Sequence, residues 1–302
     1  MVCKDHPTFR ERSMKLGLSF PQTEIGTDPV VIRDYLQMAE ELGYDFVSLV
    51  DHVLGEEAPR GASFAGKYTR DYMFHEVMVL MGFAAACTSR IGLATAVMIL
   101  PQRQSVLVAK QAAEVDVLSS GRLRLGVGLG WNRIEYDGLD MDFTNRASRF
   151  SEQIAVMRQL WSERVVAFDG EFHKFESAGL NPPPVQRPIP VWVGAMKEPA
   201  VRRAARIADG WFMFPRQHPS EEAAAMISTF RQAAAEAGRE PDDVGINATV
   251  FANQGAGAEE WRDVMEEWRT MGATEFTFRT AESDLPTPEA HIKAIRDMAE
   301  LR

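Results

Sequence analysis

Cysteine is scarce in this chain. Cys3 and Cys87 are the only two in 302 residues, too few for a disulfide framework and without the spacing of a zinc site. That usage fits a reducing cytoplasm, and we expect a cytoplasmic protein. An excess of positive charge is also missing. The formal net charge is −10, which argues against nucleic acid or an anionic membrane as a partner of the surface as a whole. No apolar run is long enough to span a bilayer, and the first residues, Met1-Val-Cys-Lys-Asp-His-Pro7, hold no apolar signal core. Residues 1–13 are polar and are expected to form a flexible extension.

Several catalytic signatures are absent as well. His75-Glu76 has no second His four positions after the first, so the helical zinc-protease pattern fails, and no other metal-ligand spacing occurs. Gly61-Ala-Ser-Phe-Ala65 lacks the second glycine of a nucleophile elbow. There is no P-loop. What remains is ordinary soluble-enzyme composition, 45% hydrophobic and 25% charged, with enough chain for one large barrel or two small domains.

The most informative stretch is Gly121-Arg-Leu-Arg-Leu-Gly-Val-Gly-Leu-Gly-Trp-Asn132. Leu123, Leu125 and Val127 alternate with Arg122, Arg124 and Gly126, the pattern of a short strand. It ends at Gly126, Gly128 and Gly130, where bare main chain can offer N–H groups to an anion. A plain tight turn is the alternative. A dinucleotide fingerprint is not met, because Trp131 stands where a glycine is needed. Residues 133–138 read as a loop, with helical periodicity returning near Asn145.

Strands and helices alternate along the rest of the chain. Strands are expected at 15–20, 46–50, 91–97, 121–128, 191–193, 210–214, 246–250 and 275–279. Helices follow each, at about 29–42, 71–88, from 105, from 145, 198–208, from 221, one carrying Trp261, Val264, Trp268 and Met271, and from 288. Asp28 before Pro29, Ser220 and Thr287 are the start signals. Residues 165–189 break the rhythm: Val165–Phe168 and Phe172–Phe175 flank Asp169-Gly170, a hairpin signal, and prolines follow. We read 14–302 as a single (β/α)8 barrel domain of the α/β class, a TIM barrel with insertion loops, the main insertion being 165–189. A doubly wound open sheet is the alternative, but its phosphate loop usually follows the first strand, not the fourth.

A barrel gathers its site at the C-terminal strand ends. Those ends carry His52, Ala96–Leu100, Gly128–Asn132, Gly194–Lys197, Phe214–Arg216 and Arg279. His52 is the candidate proton-transfer group; the adjacent Asp51 is expected to point the other way, since neighbours on a strand face opposite sides. His6, His75, His173, His218 and His291 have weaker claims. Trp131, Trp211 and Phe214 add aromatic surface, with core packing as the alternative for the last two. Few acid–base groups beside an anion cradle suit a site where a bound cofactor carries the chemistry.

Four motifs resemble the bacterial luciferase-like superfamily of flavin- and deazaflavin-dependent oxidoreductases: Asp51-His52; Ile91-Gly-Leu-Ala-Thr-Ala-Val-Met98; Gly121–Asn132; and Ile189-Pro-Val-Trp-Val-Gly194 with Ala208-Asp-Gly-Trp211. The likeness runs from about Lys15 to the end. The Gly-Val-Gly-Leu-Gly-Trp-Asn form looks most like the branch that uses coenzyme F-420, and FMN is the alternative cofactor. The resemblance implies a bulge, often with a non-prolyl cis peptide, at Ala96-Val97 beneath the cofactor ring. It implies cofactor contacts at Asp51, Thr95, Ala96, Val97, Gly128, Leu129, Gly130, Trp131, Asn132, Gly194, Ala195, Met196 and Lys197, and His52 as the catalytic residue facing ring and substrate. Sugar-phosphate-oxidising members carry Glu where this chain has Leu129, so that substrate is disfavoured. The expected activity is hydride transfer between F-420 and a small organic substrate. The alternatives are an FMN-dependent monooxygenase served by a flavin reductase, and a non-catalytic flavin-binding protein. A homodimer is expected.

Overall fold

A computed structural model of the chain describes residues 14–57, 68–213, 218–253 and 257–301. The N-terminal extension, Phe214–Arg216 and most of the loop after the second strand lie outside the described residues.

The strands are β1 (Lys15–Ser19), β2 (Phe46–Leu49), β3 (Gly92–Thr95), β4 (Met98–Ile99), β5 (Leu123–Gly128), β6 (Val166–Asp169), β7 (Lys174–Ala178), β8 (Val191–Ala195), β9 (Gly210–Met213), β10 (Gly245–Phe251) and β11 (Glu275–Arg279). The helices are α1 (Pro29–Glu41), α2 (Val77–Cys87), α3 (Ser105–Leu118), α4 (Arg133–Gly138), α5 (Arg146–Ser162), α6 (Glu198–Ile207), α7 (Glu221–Glu236), α8 (Ala258–Met271) and α9 (Pro288–Ala299).

β3 and β4 are two pieces of one barrel strand, parted at Ala96-Val97. With that strand counted once, eight parallel strands close into a ring, β1 pairing with both β2 and β11. The ring strands are almost wholly buried: apolar residues such as Leu16, Leu18, Val47, Leu125, Val127, Ile246, Phe276 and Phe278 alternate with inward positions that carry polar or small residues such as Ser48, Arg124, Gly126, Asn247, Glu275 and Thr277. The fold is the (β/α)8 barrel. β6 and β7 pair only with each other, antiparallel, outside the ring, with Asp169 opposite Lys174.

The helix starts follow the chemistry of their first residues. Asp28 Oδ1 accepts from Val30 N at 2.8 Å, Ser220 Oγ from Ala223 N at 3.2 Å and Thr287 Oγ1 from Ala290 N at 3.3 Å. Two expectations fail. α2 begins at Val77, not near 71, because Glu76 acts as its cap and accepts from Val79 N at 2.8 Å. Residues 133–138 are a short helix, α4, not a loop; Tyr136 from its middle is fully buried and donates to Leu129 O at 2.5 Å.

The lower barrel is plugged by a charge pair. Arg124 lies between the Phe46 and Trp192 rings and meets Glu275 through two hydrogen bonds, of 2.5 and 3.2 Å. The plug closes that end and leaves the space above it as the site.

Candidate active site

Above the plug, a cavity of about 700 Å³ opens at the C-terminal ends of the strands. One wall comes from the bulge and the glycine loops, the other from β1, β2, β10 and β11. Its floor and polar wall include Ser19, Ser48, Asn247, Thr249, Thr277 and Arg279, which occupy alternate, inward-facing strand positions.

The bulge explains the glycines better than anion binding alone. The Ala96-Val97 peptide is cis, as the resemblance implied. Val97 projects between the neighbouring strand ends: a Cβ on Gly128 would sit 2.6 Å from Val97 Cγ2, and one on Gly194 2.9 Å from Val97 Cγ1. A Cβ on Gly126 would run into Thr95 O. Gly130 has φ +67° and faces Ile99, so it too serves the local backbone. The glycine series therefore first makes room for the bulge, and only then leaves a side-chain-free shelf facing the cavity.

His52 sits on the rim with its side chain 10% exposed. Its Nδ1 lies 3.2 Å from Glu135 Oε2, and that carboxylate is 2% exposed. The other Glu135 oxygen accepts from Val53 N at 2.5 Å and from Leu54 N at 3.4 Å, so the carboxylate is anchored by the chain just past His52. Tyr68 stacks on the imidazole with centroids 4.6 Å apart; Phe74 and Trp131 lie at 4.7 and 6.1 Å. With Nδ1 engaged, Nε2 is the atom left for chemistry.

Asp51 faces away from His52 chemistry, as expected from strand alternation. Its carboxylate accepts from Ile99 N at 2.9 Å and pairs with Arg103 Nη2 at 2.7 Å. Burial pushes this carboxyl up, against the opposing pull of Arg103 and the Ile99 N–H. Asp51 thus ties β2 to the segment following the bulge, and its side chain is spent on that tie.

Of the residues expected to hold a cofactor, Asp51, Ala96, Val97, Gly128, Leu129, Gly130, Trp131, Gly194, Ala195, Met196 and Lys197 line the cavity, as does His52. Thr95 and Asn132 lie behind the wall. Thr95 Oγ1 donates to Gly126 O at 2.6 Å, and Asn132 Nδ2 to Leu54 O at 3.3 Å. Glu135, Tyr68, Arg146 and Arg203 line the cavity without having been singled out. The inward strand positions were legible by alternation; Glu135 was hidden by the reading of 133–138 as a loop.

The residues present fit a tricyclic cofactor with an anionic tail. The Val97 bulge would offer the ring an apolar seat, the bare shelf at Gly128–Gly130 would leave main chain open to the tail, and Lys197 and Arg203 line the same wall with positive charge. Among the described residues, no group of three or more His, Cys, Asp or Glu is placed to hold a metal ion, and no helix is long and apolar enough to cross a membrane.

A model of the family described as luciferase-like monooxygenase matches residues 15–300. The chain belongs to that family. An uncharacterized protein from Mycobacterium tuberculosis is 33% identical over 218 residues, 72% of this chain and 73% of that one. An F-420-dependent hydroxymycolic acid dehydrogenase of the same organism is 29% identical over 82% of this chain and 64% of its own. An FMNH2-dependent dimethylsulfone monooxygenase from Pseudomonas fluorescens is 29% identical over 73% of this chain and 57% of its own. Among solved structures, a monooxygenase from Streptomyces bottropensis superposes with a TM-score of 0.78 at 23% identity, covering 95% of this chain and 98% of that one. Luciferase-like relatives thus include users of both cofactors.

Proposed function

We propose that this luciferase-like oxidoreductase transfers a hydride between coenzyme F-420 and a small organic substrate. The observation that carries the reading is the His52–Glu135 pair on the rim of a cavity whose far wall suits a ring and an anionic tail. The Gly126–Asn132 motif and the F-420-dependent relative support the choice of cofactor.

When bound, the deazaflavin accepts or donates the hydride. The protein's task is to place the substrate and move the accompanying proton. His52 Nδ1–H donates a hydrogen bond to Glu135, which leaves the Nε2 lone pair free to meet the substrate. As a secondary alcohol loses hydride from carbon, His52 Nε2 takes the hydroxyl proton, and the buried carboxylate steadies the imidazolium. In the other direction the imidazolium returns that proton to the nascent alkoxide. Val97 would seat the ring; Gly128–Trp131 and Gly194–Lys197, with Arg203, would hold the tail. Tyr68, Phe74 and Trp131 screen His52 from water.

The second reading, an FMN-dependent monooxygenase fed by a flavin reductase, is supported by the dimethylsulfone monooxygenase relative. The test is an anaerobic assay with F-420 against a panel of enones, ketones and secondary alcohols, followed by coenzyme absorbance. Turnover without oxygen supports hydride transfer. Turnover only with reduced FMN and oxygen supports the monooxygenase. Binding without turnover of any kind supports a flavin carrier.

We also propose a homodimer formed through α2 and α3. α2 carries no charged residue from Val77 to Cys87, and Val79, Val106 and Leu107 on these adjoining helices are exposed at 74%, 45% and 51%.

A further inference from the structure

The wall facing the glycine shelf is polar. Around the closed ring, β11 stands four strands from β5 in either direction, so Arg279 at the end of β11 looks across the cavity at Gly128–Trp131. Ser19 and Thr249 on the adjoining strands and Thr277 on β11 itself line the same cavity.

Arg279 is poorly partnered for so sheltered a cation. Its side chain is 13% exposed. Its shortest hydrogen bond runs from Nη1 to Ser19 Oγ at 3.4 Å, Glu282 stands 3.8 Å from Nη2, and Nε is buried with no acceptor. Other part-buried arginines are far better satisfied: Arg103, Arg122, Arg124, Arg158 and Arg239 each have at least one hydrogen bond of 2.7 Å or shorter. A guanidinium withdrawn from water is costly to leave without close acceptors. The cavity is the side from which one can arrive.

We propose that Arg279 is the recognition point for a carboxylate on the substrate, and that the protein acts on hydroxy or oxo carboxylic acids. This rests on the hydride-transfer reading above and names its substrate class. The planar fork of the guanidinium matches a carboxylate through two parallel hydrogen bonds. The local charge suits a monoanion. Glu282 already stands beside Arg279, and Glu24 behind it accepts from Glu282 N at 2.9 Å and lies 3.1 Å from His291 Nε2.

Only β1 separates β11 from β2, the strand that ends at His52. At about 4.8 Å per strand, the two strand ends are about 10 Å apart, within reach of one small molecule. The coenzyme would take the hydride from the reacting carbon while His52 takes the hydroxyl proton. A secondary alcohol becomes a ketone, and the carboxylate held by Arg279 is unchanged.

The test is calorimetric binding of 4-oxopentanoate and of its methyl ester to the whole protein, with each coenzyme and without. The wild type should bind the acid about tenfold or more tightly than the ester, the scale of one charge-assisted pair. Arg279→Met should abolish the preference by weakening acid binding alone. Glu282→Gln, which removes the competing carboxylate, should tighten acid binding, a gain that misfolding cannot mimic. Equal binding of acid and ester, no acid binding at millimolar concentration, or a preference that survives Arg279→Met overturns the proposal. A protein that keeps the acid preference but takes FMN rather than F-420 overturns the hydride-transfer reading and leaves Arg279 in place.

Discussion

An imidazole serves in proton transfer when one ring nitrogen is fixed and the other is left to meet the substrate. At His52 the fixing partner is Glu135, 83 positions away, and not the adjacent Asp51, whose carboxylate is committed to Ile99 and Arg103. The strand end bearing His52 was legible because the alternation of strands and helices located the rim. Its partner was not, because a six-residue helix gives too little periodicity to announce itself. His52→Ala should lower turnover by about 100-fold or more, the usual scale for losing a general acid or base, while coenzyme affinity changes little. Glu135→Gln should lower turnover about 10-fold and should shift the proton distribution between the two His52 ring nitrogens, read from nitrogen NMR shifts. An unchanged ring tautomer in Glu135→Gln would reduce Glu135 to a loop anchor.

Caps and breaks decided how well whole elements could be foreseen. Asp28, Ser220 and Thr287 mark helix starts by their own chemistry, and all three helices begin there. α2 was expected too early because Glu76 does not look like a cap until its carboxylate is seen on Val79 N. The third barrel strand read as continuous from residue patterning, and only the family likeness pointed to its interruption at Ala96-Val97. Another carboxylate joins elements in a way that no periodicity reveals. Glu40, near the end of α1, accepts from the N–H groups of Ser89, Arg90 and Ile91 and from the Ser89 hydroxyl, holding the turn into β3. Burial raises its pKa, but these four donors outweigh it and hold the carboxyl at about 2. A folded-state value below the ordinary 4.5 means stability present above 4.5 and lost as pH falls toward 2. Glu40→Ala should cost about 1 kcal/mol at neutral pH, the low end for a partly solvated acceptor, by urea unfolding. The gap to wild type should narrow as pH drops through that window. A gap that persists at pH 2 would show that the lost contact is packing rather than charge.

Across the whole molecule, eight strand–helix units were visible in the alternation, and the family match over residues 15–300 agrees with the closed ring. The strand alternation placed the glycine segment at the cavity rim, and the structure adds a local reason for its bareness: a Cβ on Gly128 or Gly194 would meet Val97. The purpose of a missing side chain is written in its neighbours across the sheet, which a linear sequence does not display. The apolar outer surface of α2 and α3 leads to a second expectation at this scale. Light scattering after size exclusion should give twice the mass of one chain, and Val79→Glu should shift it toward the monomer; a wild-type monomer would refute the dimer. The reaction itself turns on which coenzyme the cavity selects, and paired fluorescence titrations of the purified protein with F-420 and with FMN address it most directly. F-420 should bind about tenfold or more tightly, a preference of about 1.4 kcal/mol. Equal affinity, or FMN bound in preference, would contradict deazaflavin-dependent hydride transfer.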